Sequence, residues 1–277
     1  MRRILTVVAL IGILGLLVTG CSSTATSEKT TPPASSATTE KKEGPVLTRI
    51  NKEKAIKVAF EGTYPPFNYQ DEKKEFAGFD VDISNEMAKR MGVKAVFIAT
   101  PWEALIGGLQ ADKFDIIISQ MSITDERKKS VDFTDPYVIT GGVLITRQET
   151  NDITKLEELK GKKVGVGTGT TFEKVARSVE GSDVRTYKSA GEYFADLQNK
   201  RLDVIINDNM VAGYRIKQNN LPLKIASGLV NKDIIGMAIK KENQDFLDKV
   251  NKTLGEIKKD GTYDQMFMKW FGVKPTA

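Results

Sequence analysis

Histidine is absent from all 277 residues, and cysteine occurs once, as Cys21. Without histidine there is no Ser-His-Asp or Cys-His relay, no imidazole general base and little to hold a zinc ion. A single cysteine forms no intrachain disulfide. Chemistry is left to carboxylates, arginine, lysine, tyrosine and hydroxyls, and no metal or other cofactor is expected. Long apolar runs are scarce as well. One uncharged stretch, 4–18, stands near the start, and no second span follows it, so the chain is not expected to build a membrane channel. Neither sign of charge dominates: 41 Lys and Arg face 36 Asp and Glu, interleaved throughout, for a net +5. That balance does not point to nucleic acid.

The apolar stretch follows Arg2 and Arg3, the layout of a signal peptide, and is shorter than a comfortable membrane span. It ends Val18-Thr19-Gly20-Cys21, which resembles the bacterial lipobox, where the leader is cut before a cysteine that then carries lipid. A leader with an incidental cysteine is the alternative. The expectation is a lipoprotein signal peptide over 1–20 and lipidation at Cys21, with an extracytoplasmic body anchored to the cell membrane. Losing Arg2 and Arg3 with the leader lowers the net charge from +5 to +3. Residues 21–45 are mostly Ser, Thr, Pro, Ala, Lys and Glu. Such a segment buries too little apolar surface to offset its ordering entropy, and is expected to be a disordered tether.

Beyond residue 55 short apolar runs alternate with amphipathic stretches of helical length. Strands are expected over 56–60, 93–98, 114–119, 142–146, 163–166, 184–187, 204–207 and 234–239. Helices are expected over 79–91, 102–111, 171–179, 193–199, 209–219, 243–259 and 263–270. In the first helix Ile83, Met87 and Met91 recur every four residues. The alternation predicts mostly parallel sheets flanked by helices, and it runs twice, which suits two lobes of about a hundred residues better than one core. Ligands of such sheets lie beyond the carboxyl ends of the strands. Polar clusters stand there: Glu61 to Phe67 after the first strand, Ser119 to Arg127 after the third, and Gly165 to Thr171 and Asn207-Asp208 later.

These blocks resemble the extracellular solute-binding proteins for polar amino acids that serve ABC importers. Gly78-Phe79-Asp80-Val81-Asp82-Ile83 with Met87-Ala88 is similar to that family's signature segment. Ser122-Ile123-Thr124-Asp125-Glu126-Arg127 and Asp132-Phe133-Thr134-Asp135-Pro136-Tyr137 are similar to two further blocks. Lys259-Asp260-Gly261-Thr262-Tyr263 and Lys269-Trp270-Phe271-Gly272 are similar to its end. The resemblance implies an α/β, type II periplasmic-binding-protein-like fold of two lobes joined by a two-segment hinge. Lobe 1 would comprise 46–139 and 235–277 and lobe 2 140–234, with crossings near 140–142 and 234–236. Gly78 to Met91 reads as scaffold, since its apolar stripe already accounts for it.

A free amino acid offers a carboxylate, an ammonium and a side chain. Arg127 has the planar fork for a bidentate carboxylate contact; the resemblance assigns it the α-carboxylate, helped by Ser122 and Thr171. The alternative is a surface arginine paired with Glu126 or Asp125. Thr170 and Thr171 open a helix, where unpaired amides favour an anion; simple N-capping is the alternative and is compatible with that role. Asp208 is the natural counter-ion for the ammonium, or else only the N-cap of the next helix. Tyr64 and Trp102 resemble the aromatic pair that covers the ligand side chain, with core aromatics as the alternative. Ser119 and Gln120 offer further hydrogen bonds, and Glu61 aligns with the acid that faces the side chain in relatives.

Some relatives carry lysine where this chain has Gly167, so Glu61 is expected to lack a positive neighbour. That favours a ligand bringing donors: arginine, lysine, histidine, glutamine or cystine. The run Gly165 to Gly169 lacks the Gly-Lys-Ser/Thr ending of a phosphate loop. The expected function is capture of such an amino acid by lobe closure, without enzymatic turnover, and delivery to an ABC permease by a lipid-anchored monomer. The alternatives are a sensory amino-acid-binding module and a lyase on the same scaffold.

Overall fold

The computed structural model describes residues 43–275, so the signal peptide, Cys21 and nearly all of the expected tether lie outside the described residues. The first element is a helix that periodicity did not predict. This helix, α1 (Pro45–Glu53), starts on a proline whose fixed φ suits a first helical turn, and it buries Leu47 and Ile50. The Gly44 amide donates to Asp245 Oδ2 at 2.7 Å, so the folded body already holds the last residues assigned to the tether.

The chain continues through β1 (Ala55–Phe60), β2 (Thr63–Tyr64), β3 (Asn68–Gln70), β4 (Phe76–Ala77), α2 (Phe79–Arg90) and β5 (Lys94–Ala99). A 3-10 turn over Trp102–Ala104 leads to α3 (Leu105–Gln110), β6 (Ile116–Ile117), α4 (Asp125–Lys128), β7 (Val131–Phe133) and β8 (Val138–Thr140). Then come β9 (Gly142–Arg147), β10 (Lys163–Gly167), α5 (Thr171–Arg177), β11 (Asp183–Tyr187), α6 (Ala190–Gln198) and β12 (Val204–Asp208). After α7 (Asn209–Gln218) and β13 (Leu223–Ile225), the chain returns along β14 (Asp233–Ile235) and β15 (Ala238–Lys240). It closes with α8 (Gln244–Lys259) and α9 (Thr262–Phe271).

Two five-stranded sheets result, ordered β5-β1-β6-β15-β7 and β11-β10-β12-β9-β13. In the first, β1 lies parallel to β5 and β6; in the second, β10 lies parallel to β11 and β12. One strand in each sheet opposes its neighbours, β15 in the first and β9 in the second. Each is the strand laid down immediately after the chain passes between lobes. The crossing strands β8 and β14 pair antiparallel with each other, Ile139 opposite Ile234.

The apolar run 234–239 is therefore two strands in different sheets, not the single strand expected. Glycine marks both crossings. A Cβ at Gly141 would stand 2.1 Å from the Asn231 carbonyl oxygen, and one at Gly236 would stand 2.9 Å from Ile123 Cδ1. The run 114–119 pairs only over Ile116–Ile117, although Phe114 and Ile118 are buried beside it.

Helices cover both faces of each sheet. Phe79, Ile83 and Met87 of α2 share a core with Phe246, Val250 and Leu254 of α8, while Met91 is only partly buried at its edge. Burial of each such side chain contributes roughly 1.5–3 kcal/mol. Leu105 and Leu109 of α3 pack on the opposite face with Ala59 and Ile117. In the second lobe alternate residues of β9 and β12 divide between two cores, Val143, Ile145 and Ile205 against Leu144, Val204 and Ile206.

Candidate functional site

Loops at the strand ends of both lobes meet around one cavity of about 660 Å³, solvent at its mouth included. Its wall contains every ligand-binding candidate from the sequence: Glu61, Tyr64, Trp102, Ser119, Gln120 and Ser122, then Arg127, Thr170, Thr171 and Asp208.

On the first lobe, β1 ends at Phe60 and delivers Glu61, whose amide donates to Ser119 Oγ at 3.1 Å. Thr63 Oγ1 donates to Glu61 Oε1 at 2.5 Å. Burial still raises the Glu61 carboxyl above its ordinary pKa, against the lowering effects of Thr63 and Arg215. Glu61 thus has a positive neighbour, contrary to expectation. The cation comes from Arg215 on α7, not from the loop that carries Gly167, and Lys188 also lines the cavity.

Trp102 stands on its 3-10 turn with the Arg127 guanidinium 5.2 Å from the ring centroid. Arg127 belongs to α4, which Thr124 caps by accepting the Arg127 amide at 3.2 Å. Its Nη1 donates to the Ser122 carbonyl at 2.9 Å and its Nη2 to the Gly169 carbonyl of the other lobe at 3.1 Å. Glu126 pairs instead with Lys174, and Asp125 with Lys128. The surface-pair alternative for Arg127 therefore does not describe this structure. Burial draws the guanidinium pKa down, while Asp233 and Glu126 act to raise it.

Gln120 takes a left-handed backbone, φ 52°. Its Nε2 donates to Asp80 Oδ1 and Tyr137 Oη, each at 3.0 Å, and its Oε1 is enclosed without a partner among the described residues. Asp80, on the scaffold helix α2, accepts the first of these bonds along with Asn68 Nδ2 at 2.7 Å and Tyr137 Oη at 2.9 Å. Full burial pushes its carboxyl up to about 7, despite those three donors. Asp80 ties the loop after β6 to Tyr137, the residue just before β8.

On the second lobe Thr170 caps α5: its Oγ1 accepts the Glu173 amide at 3.2 Å and donates to the Gly167 carbonyl at 2.7 Å. Its hydroxyl thus caps the helix while the residue lines the cavity. Thr171 Oγ1 donates to Asp233 Oδ2 at 3.1 Å. Asp208 both caps α7 and faces the cavity. Its Oδ1 accepts the amides of Met210 and Val211, and its Oδ2 accepts Thr140 Oγ1 at 2.7 Å. Burial pushes this carboxyl up to about 6, and Asp233 reinforces the rise. Tyr64 Oη donates to Asn207 Oδ1 at 2.5 Å, crossing between the lobes.

Asp233, Lys188 and Tyr193 also line the cavity, and no sequence signal had pointed to them. Asp233 opens β14, at the amino end of a strand, where the carboxyl-end rule does not look. Lys188 and Tyr193 flank the start of α6, which begins at Ala190 and not at 193 as expected. The site so assembled brings the Arg127 guanidinium and the Lys188 ammonium to one cavity with three carboxylates, Glu61, Asp208 and Asp233.

Comparison with known proteins gives this geometry a context. The chain is 37% identical over 233 residues to the L-cystine-binding protein TcyJ of Escherichia coli, covering 83% of this chain and 88% of that protein. To the lysine/arginine/ornithine-binding periplasmic protein of E. coli it is 36% identical, over 78% of this chain and 87% of the other. Among solved structures, a mutant of ArgBP from T. maritima superposes with TM-score 0.79 at 34% identity, covering 82% of this chain and 100% of that one. An ancestral arginine-binding protein bound to glutamine superposes with TM-score 0.76 at 41% identity, over 79% and 98%. The architecture is the type II periplasmic-binding-protein fold. Residues 56–273 match the family of bacterial extracellular solute-binding proteins, family 3, and the chain belongs to that family.

Proposed function

We propose that the chain is the solute-binding protein of an amino-acid ABC importer, capturing a free polar or cationic L-amino acid of the set arginine, lysine, histidine, glutamine and cystine. The observation that carries this is the opening of Arg127, Asp208 and Asp233 onto one cavity between two lobes. In this reading Arg127, Ser122 and Thr171 hold the α-carboxylate, Asp208 and Asp233 hold the α-ammonium, and Tyr64 and Trp102 enclose the side chain. Ser119 and Glu61 face its polar end, while Gln120 and Thr170 shape the wall. Names of relatives support the class: they bind cystine in one case and lysine, arginine and ornithine in another.

We place lobe 1 at 46–139 and 235–277, lobe 2 at 140–234, and the hinge at the paired strands β8 and β14. Arg127 and Ser122 of lobe 1 meet the carboxylate while Asp208 and Asp233 of lobe 2 meet the ammonium, so only closure satisfies both ends, and the ligand shifts the population toward the closed form. Charge-assisted hydrogen bonds contribute roughly 1.5–3 kcal/mol each. A handful, less ordering costs, gives micromolar affinity or better, about −8 kcal/mol. The closed body would then dock on its permease, held near the membrane by lipid on Cys21 and acting as a binding protein without turnover.

The test is a thermal-shift screen of the twenty amino acids plus cystine and ornithine. A ligand at a hundred times its Kd stabilises the native state by about 2.7 kcal/mol. At least one member of the named set should raise the melting temperature. A flat response across the panel overturns the proposal.

A further inference from the structure

Arg215 stands outside the cavity wall and outside every sequence signal, yet it is the cation acting on Glu61. It occupies the second turn of α7. Its Nη2 donates across the cleft to the Thr63 carbonyl at 3.0 Å, and its Cζ lies 5.3 Å from the centroid of the Phe194 ring. The Nε is enclosed and has no hydrogen-bond partner among the described residues. Its hydrogen bond goes to a carbonyl and its face to a ring, and among the described residues it forms no ion pair of its own, so its charge is left to act on Glu61. Tyr64 and Tyr193, which wall the cavity, sense both Glu61 and Arg215. Burial lowers the Arg215 pKa and raises that of Glu61, the pattern of two enclosed charges that each depend on the other's field.

Glu103 acts on Glu61 with the same sign, but to a smaller extent than Arg215. The α-end differs, because there Asp208 and Asp233 outnumber Arg127, an excess that the ligand ammonium answers.

Building on the amino-acid-binding reading above, we propose that Arg215 determines specificity: by cancelling the charge of Glu61 it makes the side-chain end of the cleft electrically neutral. That end then selects a side chain terminating in a group with both donor and acceptor character and no net charge, over one ending in a bare cation. An amide meets this description, and so does a second α-amino-acid head. For a guanidinium or ammonium side chain, attraction to Glu61 is offset by repulsion from Arg215. A unit charge acting across the cleft at an effective dielectric near 20 changes relative affinity by upwards of about tenfold.

Calorimetry on the full-length protein with L-glutamine, L-cystine and L-arginine tests this. The wild type should bind glutamine or cystine more tightly than arginine, and which of the two wins separates the amide from the second head. Arg215→Met should move the affinity ratio at least about tenfold toward arginine, and Arg215→Lys, which keeps the charge, should retain the wild-type order. Glu61→Gln leaves Arg215 unopposed and should move the ratio the other way, which keeps the test open if the methionine variant does not fold. Arginine as the tightest wild-type ligand, or a ratio unmoved by these substitutions, overturns the proposal while leaving amino-acid capture standing. Silence from all three ligands overturns this proposal, whereas capture itself falls only if the full amino-acid panel is also flat.

Discussion

The guanidinium of Arg127 bridges the two lobes, donating to the Ser122 carbonyl on its own side at 2.9 Å and to the Gly169 carbonyl on the other at 3.1 Å. Arg127 also lines the cavity, and in the proposed reading its fork receives the ligand carboxylate. Arg127→Ala is expected to weaken ligand binding by at least about 2 kcal/mol, the usual cost of leaving a buried charge without its partner. Calorimetry reads the affinity, and an unchanged thermal unfolding profile shows that the fold is retained.

Asp208 supplies a pH dependence. Burial raises its carboxyl to about 6, and in the proposed reading the ligand ammonium binds the ionised form. Protonation therefore competes with the ligand below that value. Affinity should be full above about pH 7 and fall about tenfold by about pH 5. Asp208→Asn keeps an oxygen for the helix cap, and should bind weakly with a flat profile between those limits.

Asp80 links pH to stability with a definite sign. Its native pKa, about 7, lies above the ordinary 3.8, so the folded state holds a proton that the unfolded chain has released. This contribution is fully present below about pH 4 and is lost as pH rises through about 7. The stability difference between wild type and Asp80→Asn should widen in favour of wild type as pH falls from about 7.5 to about 4.5. Denaturant unfolding at both pH values measures it, and a difference constant with pH would refute the assignment.

Gly141 sits where the chain first passes between lobes, and a Cβ there would stand 2.1 Å from the Asn231 carbonyl oxygen. Backbone cannot rotate away as a side chain does. Gly141→Ala should destabilise the fold by about 1–3 kcal/mol, the range for overpacking, and shift the melting temperature downward. Gly213 is the control, because a Cβ there would meet nothing within 4 Å among the described residues. Gly213→Ala lies in a helix and should be neutral or mildly stabilising.

Much of the architecture was legible because its signals are local. The four-residue stripe of α2 and the apolar strands β1, β9, β10 and β12 needed only periodicity. The run 234–239 misled for a physical reason. Nothing in that apolar run tells that Gly236 turns the chain from one sheet into another, because the crowding comes from Ile123 and Phe133, far away in sequence. Strands of two or three residues such as β2, β7 and β13 fall below any period. Helix α1 was lost because a Ser/Thr/Pro segment precedes it and its two buried residues make too brief a stripe.

For the site, residues just beyond strand ends were found and others were not. Asp233 escaped by standing at a strand's beginning. Arg215 escaped because an arginine in the second turn of an amphipathic helix reads as solvated surface, and only the tertiary fold brings Thr63, Phe194 and Glu61 to it.

The central claim is that one guanidinium and a pair of carboxylates grip the two charges of a single zwitterion. The most direct test is calorimetry with the tightest-binding amino acid of the panel, its α-carboxamide and its desamino analogue. Each analogue should bind at least about a hundredfold more weakly, as expected for one lost charge-assisted contact set. Equal affinity for all three would contradict the account.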